Sequence, residues 1–84
     1  MSLLPGKMPR RDMVKTGHRQ ANLSMRNGYD VFSLAQELFL SPSTVRSYWD
    51  GRRFPSVESL EKMRLLFHLG SIDDLIVWED VENG

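Results

Sequence analysis

Residues 41–56, SPSTVRSYWDGRRFPS, hold the densest set of side chains in this chain that could engage a ligand. Ser43, Arg46 and Ser47 are short or cationic hydrogen-bond donors, a set suited to base edges and phosphates. Arg46 has the strongest chemistry of the three, because its planar fork matches two adjacent acceptors on a guanine. Catalytic chemistry has little support elsewhere. His18 and His68 are far apart in sequence, with no metal-ligand spacing around either. Asp73 and Asp74 are neighbours at a helix start, where anions are favoured electrostatically, so capping accounts for them. No glycine-rich phosphate loop or nucleophile motif is present. The sequence therefore predicts a non-enzyme that needs neither metal nor cofactor.

Composition limits the rest. Eighty-four residues make one small domain with a modest core, and the absence of cysteine excludes disulfides and thiolate metal sites. No apolar run reaches membrane-spanning length, and MSLLPGKMPRRD lacks the apolar stretch of a signal peptide. The expectation is a soluble, cytoplasmic chain. Formal net charge is zero, but its distribution is polar: residues 1–28 carry six basic side chains against Asp12 alone, a net +5. Residues 61–84 carry six acids against Lys62 and Arg64, a net −4. A partner feels that local field rather than the sum.

Those side chains must be held by helices. Residues 1–12, with Pro5, Gly6 and Pro9, read as a flexible basic arm, and residues 79–84 as an acidic tail; the domain lies between, at 13–78. A weakly patterned first helix ends near Arg26, with Asn27-Gly28 as its stop. Asp30 caps a second, whose Val31, Leu34, Ala35 and Leu38 fall on one apolar face. Ser41 caps a third, with Pro42 in its first turn and Val45 and Tyr48 facing inward, and Gly51 ends it. Ser56 caps a fourth carrying Val57, Leu60, Met63, Leu66 and Phe67, stopped by Gly70. Ser71 with Asp74 opens a fifth through Leu75 and Ile76. The fold class is all-α, about five short helices.

The second and third helices are joined only by Phe39 and Leu40, which forces a steep crossing and leaves the third helix standing out from the body. That is a helix-turn-helix unit over about 30–50. GYDVFSLAQELFLSPSTV, DGRRFPSVESL and SIDDLI, in this order and spacing, resemble the Cro/repressor type of helix-turn-helix, the lambda-repressor-like domain. The resemblance runs from about Gly28 to Ile76. It implies a sequence-specific regulator of bacterial, phage or plasmid origin that inserts helix 41–50 into the major groove of double-stranded DNA. Pro42, Ser43, Arg46 and Ser47 would face the bases; Arg52 and Arg53 would grip the backbone, with Ser41 and Thr44 able to touch phosphate. Apart from the resemblance, the basic arm of Lys7, Arg10 and Arg11 could follow a groove, with Arg10 and Arg11 as backbone contacts, or be disordered.

Four departures from the family stand out. Val31 replaces a Gln that often contacts phosphate, and Phe39 replaces a turn Gly, so a reshaped turn is expected there. Trp49 replaces a polar residue, with helix one, the sugar-phosphate backbone or a partner chain as its possible neighbours. The first helix matches poorly. Val77, Trp78 and Val81 at the C-terminus, and Leu65 beside the helix-four stripe, add apolar side chains that could cover the core or form a homodimer, and paired half-sites favour the dimer. Two alternatives stay open: an excisionase-like or MerR-like winged helix, against which SVESLEKMRLLFHLG reads as a helix rather than a hairpin, and a protein-interaction or antitoxin-like module that binds a protein partner through this scaffold.

Overall fold

The computed structural model describes residues 10–79. Its elements are a short strand β1 (Arg10–Arg11), helices α1 (Met13–Arg26), α2 (Val31–Leu38), α3 (Pro42–Trp49) and α4 (Val57–Leu66), a 3₁₀ turn (Ile72–Leu75) and strand β2 (Trp78–Glu79). The segment after α3 is thus a helix and not a wing hairpin. The expected fifth helix is a single 3₁₀ turn: Ser71 and Asp74 form the capping box as expected, but Ile76 is already extended.

Each helix begins where a side-chain oxygen can accept an otherwise orphaned N–H. Asp12, Asp30, Ser41 and Ser56 accept from the backbone N–H of Lys15, Ser33, Thr44 and Ser59 respectively. At α2 the pairing is reciprocal, with the Asp30 N–H donating to the Ser33 hydroxyl at 3.0 Å. The core gathers Leu34, Ala35 and Leu38 from α2, Val45 from α3, Leu60 and Met63 from α4, then Phe67, Leu75 and Ile76. Val57, grouped with the apolar face of α4 on sequence, is instead exposed at its N-terminal turn.

The weak signal of α1 has a physical origin. Its buried face is Thr16, Gly17, Gln20 and Ser24, small or polar rather than aliphatic. Thr16 accepts the Val77 N–H at 2.9 Å, and the Asp12 N–H donates to the Val77 carbonyl at 2.7 Å, so the C-terminal segment is sewn to α1. Ser24 donates to the Tyr29 carbonyl at 3.0 Å. Both amide atoms of Gln20 are buried and make no hydrogen bond to the described residues. Gly17 is obligatory: a Cβ there would run into the Tyr48 and Trp49 carbonyl oxygens at the end of α3.

Two expectations at the chain ends are corrected. Arg10 and Arg11 do not belong to a free arm; they pair antiparallel with Glu79 and Trp78, and Arg10 forms a 2.8 Å ion pair with Glu79. A strand of two residues has no periodicity to read, and its partner comes from the far end of the chain. Glu79 is likewise part of β2 rather than a tail. Lys7 and Val81 lie outside the described residues.

The turn between α2 and α3 is not reshaped. Phe39 takes the left-handed conformation itself, at φ 58° and ψ 42°. The Leu40 N–H returns to the Ala35 carbonyl at 2.9 Å and the Phe39 N–H to Gln36 at 3.2 Å, the Schellman pattern. Because Phe39 is 83% exposed, its side chain recovers little through burial; a Lys62 ammonium 4.2 Å from the ring centroid is its main company.

Two predictions follow from this geometry. Phe39→Gly removes left-handed strain of about 1–2 kcal/mol against a smaller loss in the exposed cation–π contact and in unfolded-chain entropy. It is therefore expected to raise the urea midpoint, whereas Phe39→Ala is expected not to. At α2, the Ser33 backbone N–H and then its hydroxyl hold the Asp30 carboxyl below the ordinary value of 3.8. A lowered folded value means the contribution is complete above the unfolded pKa and is lost as pH falls through the folded one. Asp30→Asn, which still caps, should keep most of the neutral-pH stability while flattening the acid limb of a stability–pH curve; unfolding titrations below pH of about 4 measure it.

Candidate nucleic-acid interface

Helix α3 supplies the surface. Val45 and Tyr48 are buried, and Ser43 and Arg46 are exposed on the other side, with Ser47 half-buried beside them. Pro42 occupies the first turn, where its missing N–H costs nothing. At about 12 Å long, a helix of this size fits lengthwise along a major groove.

The hydroxyls divide into two groups. Ser41 Oγ accepts the Thr44 N–H at 3.2 Å and lies 3.0 Å from Thr44 Oγ1. Those two oxygens hold each other and the cap, which leaves one hydroxyl proton between them for an outside acceptor. The hydroxyls of Ser43 and Ser47 make no hydrogen bond among the described residues, and both are free to donate.

Arg46 is steadied by a neighbour that the sequence did not advertise. Its guanidinium lies 5.3 Å from the centroid of the Phe32 ring, and Phe32 is itself 59% exposed on α2. An aromatic face next to a cation is favourable and narrows its rotamers. Phe32 stands one residue past Val31, the position from which the expected phosphate contact is missing. The usable signal was an apolar residue off the helix's buried stripe.

Behind α3, the loop carrying Arg52 and Arg53 is pressed against the start of α1. Gly51 is left-handed at φ 80°, and a Cβ there would strike the backbone of Met13 and Val14. Both arginine N–H groups return to the Ser47 carbonyl, at 2.9 and 3.2 Å. The Arg52 side chain pairs with Asp50 at 3.0 Å, and both are well exposed. Such a pair is worth little in water, so a phosphate can replace the carboxylate at small cost. Arg11 reaches the same loop, with its guanidinium 3.9 Å from the Phe54 ring centroid. Strand β1 therefore joins Arg11 to the loop that holds Arg52 and Arg53, while Arg10 is engaged with Glu79.

Trp49 turns inward. It is half-buried against the core, and its buried indole nitrogen makes no hydrogen bond to the described residues. Of the apolar candidates for a dimer seam among the described residues, Leu65 and Trp78 are not brought together. Leu65, 61% exposed, lines a groove with Phe39 and Lys62. Trp78, 47% exposed, lines another with Arg10, Arg11 and Met13. Trp78 is accordingly not a lid on the core; Leu75 and Ile76 take that place. Among the described residues no group of three or more His, Cys, Asp or Glu could hold a metal ion, and no helix is long and apolar enough to cross a membrane.

No family model matches the chain, and no curated protein matches it. Among solved structures it is similar to the restriction-modification controller protein C.AhdI from Aeromonas hydrophila. The match has a TM-score of 0.67 at 26% identity and covers 76% of this chain and 96% of that one. The likeness is in accord with the Cro/repressor-type helix-turn-helix resemblance and with a mostly helical fold.

Proposed function

We propose that this chain is a sequence-specific DNA-binding transcriptional regulator that works by occupying an operator. The observation that carries this reading is the outward face of α3, where Ser43 and Arg46 stand exposed while Val45 and Tyr48 on its other side are buried. The protein is not an enzyme in this reading; it acts by binding double-stranded DNA in the cytoplasm. The likeness to a restriction-modification controller supports the assignment and makes control of such genes the first context to test.

In the proposed complex α3 enters the major groove. Arg46 forms two hydrogen bonds to a guanine, and Ser43, Ser47 and the Pro42 ring lie along neighbouring base edges. Phe32 orients Arg46 from the side. Arg52 exchanges Asp50 for a phosphate, and Arg53, Arg11 and the free proton of the Ser41–Thr44 pair meet the backbone. Arg10 contributes after release from Glu79. The active species is a homodimer, because one eight-residue helix reads too few base pairs to define a site. Leu65 and Trp78, with Val81 beyond the described residues, are the proposed contacts between copies.

Arg46→Ala is expected to lose roughly 1–3 kcal/mol and to relax preference at one base pair. Phe32→Ala should produce a smaller loss at the same base pair. Arg52→Ala should weaken all duplexes alike and reduce the salt slope by about one phosphate contact. Competition binding against single-base variants of a selected site, repeated across a salt series, separates the three. Identical base preferences for wild type and Arg46→Ala would remove Arg46 from the reading head. Uniform affinity for every duplex would remove the regulator assignment itself.

The dimer has its own measurement. Leu65→Glu and Trp78→Ala are both expected to leave the melting temperature nearly unchanged, since neither residue is in the core. Sedimentation should show which of the two shifts the protein to monomer, with paired half-sites bound more weakly. Unchanged association for both variants would place the seam elsewhere.

A further inference from the structure

Helix α1 carries a second cationic surface that the proposed DNA complex leaves unused. Lys15, Arg19 and Arg26 fall within about 40° of one another around the helix axis, along a span of about 16 Å. Among the described residues, these three and Arg53 are the lysines and arginines with neither a carboxylate nor an aromatic partner. Three of the four thus share one helix face. The concentration is local, because the other cations among the described residues, Arg53 apart, are neutralised or stacked.

The face borders a groove of about 590 Å³ between α1 and the segment leading out of α4. Its wall is the cationic row, and its floor holds the half-buried side chains of Leu23, Leu69 and Val77. Asp74 also lines it, but that carboxylate accepts the Ser71 N–H at 3.3 Å within the capping box. Arg19 spends one donor on the Ile76 carbonyl at a long 3.5 Å and keeps the rest.

We propose that this groove binds an acidic segment of a partner protein, one that alternates carboxylates with aliphatic side chains. Carboxylates meet the row of three cations, and the aliphatic groups cover the leucines and valine of the floor. Duplex DNA fits less well on two grounds. A phosphate backbone has no apolar groups for that floor. The row also lies on the opposite side of α1 from Gly17, the residue that packs on the end of α3, so a duplex seated on α3 is directed away from it. An acidic partner could then be held while α3 remains on DNA.

The test uses the whole chain, isotope-labelled for amide NMR. It is titrated with a peptide of about twelve residues alternating glutamates and leucines, with polyglutamate of equal length, and with a DNA duplex. The expected result is a shift of the amides of Lys15, Arg19, Leu23 and Leu69 on adding the mixed peptide, with affinity about tenfold or more above that of polyglutamate. Lys15→Glu combined with Arg26→Glu should abolish this binding while the melting temperature and duplex affinity stay in place. Both are exposed side chains without a hydrogen-bond partner among the described residues. Equal affinity for the two peptides, no binding of either, or movement of the same amides by the duplex would overturn the proposal. So would a salt-sensitive self-association that the double variant removes, which would make a second copy the occupant. Duplex binding through α3 is scored in the same titration, so failure here is distinguishable from failure of the regulator reading.

Discussion

The left-handed residue at Phe39 is the constraint on which the rest of this molecule depends. Once its backbone turns, the carbonyls at the end of α2 are satisfied and Leu40 delivers the chain to Ser41. Ser41 then caps α3, with Pro42 in its first turn. Val45 drops into the core beside Leu34 and Leu38, and the opposite face of α3 has nowhere to point but outward. Most residues in that turn would carry strain of about 1 kcal/mol or more. Keeping a phenylalanine there leaves a ring exposed beside Lys62 and Leu65, at the groove assigned to contacts between copies.

A second group of interactions fixes where the outward face stands relative to the basic loop. Gly17 lets α1 approach the carbonyl end of α3, and Gly51 lets the following loop approach the start of α1. Arg11, which β2 holds through β1, stacks on Phe54 of the loop that carries Arg52 and Arg53. The polar seam of α1 completes the arrangement, since Thr16 and Asp12 anchor Val77 by hydrogen bonds rather than by apolar burial.

Zero net charge conceals a division of labour among the cations. Arg10 and Arg64 are paired with carboxylates, while Arg11, Arg46 and Lys62 rest against aromatic rings. Among the described residues, the ones left over are the Arg52–Arg53 loop, where one exposed carboxylate shields one arginine, and the row on α1. Field strength outside a protein follows such local excesses. One excess borders the reading helix and the other borders an apolar floor, and that difference in surroundings separates their assigned partners.

The sequence by itself determined the helix starts, because Asp30, Ser41 and Ser56 cap through bonds spanning three residues and need nothing distant. It also determined the apolar faces of α2 and α3, and with them the outward set of Ser43, Arg46 and Ser47, since burying one side of a helix exposes the other. Only the tertiary structure decided the fate of side chains whose environment comes from elsewhere in the chain. Arg10 and Arg11 became a strand because Trp78 and Glu79 arrived beside them. Trp49 packs against a core assembled from the other helices, and Phe32 gained a cationic neighbour because α3 brings Arg46 within reach of its ring. The fifth helix shortened to one 3₁₀ turn because the Val77 backbone that follows is held on α1 by Thr16 and Asp12. Caps and amphipathic faces are local free energies and are written locally; strand partners, glycine approaches and cation–π neighbours are long-range, and no window of sequence contains both halves of them.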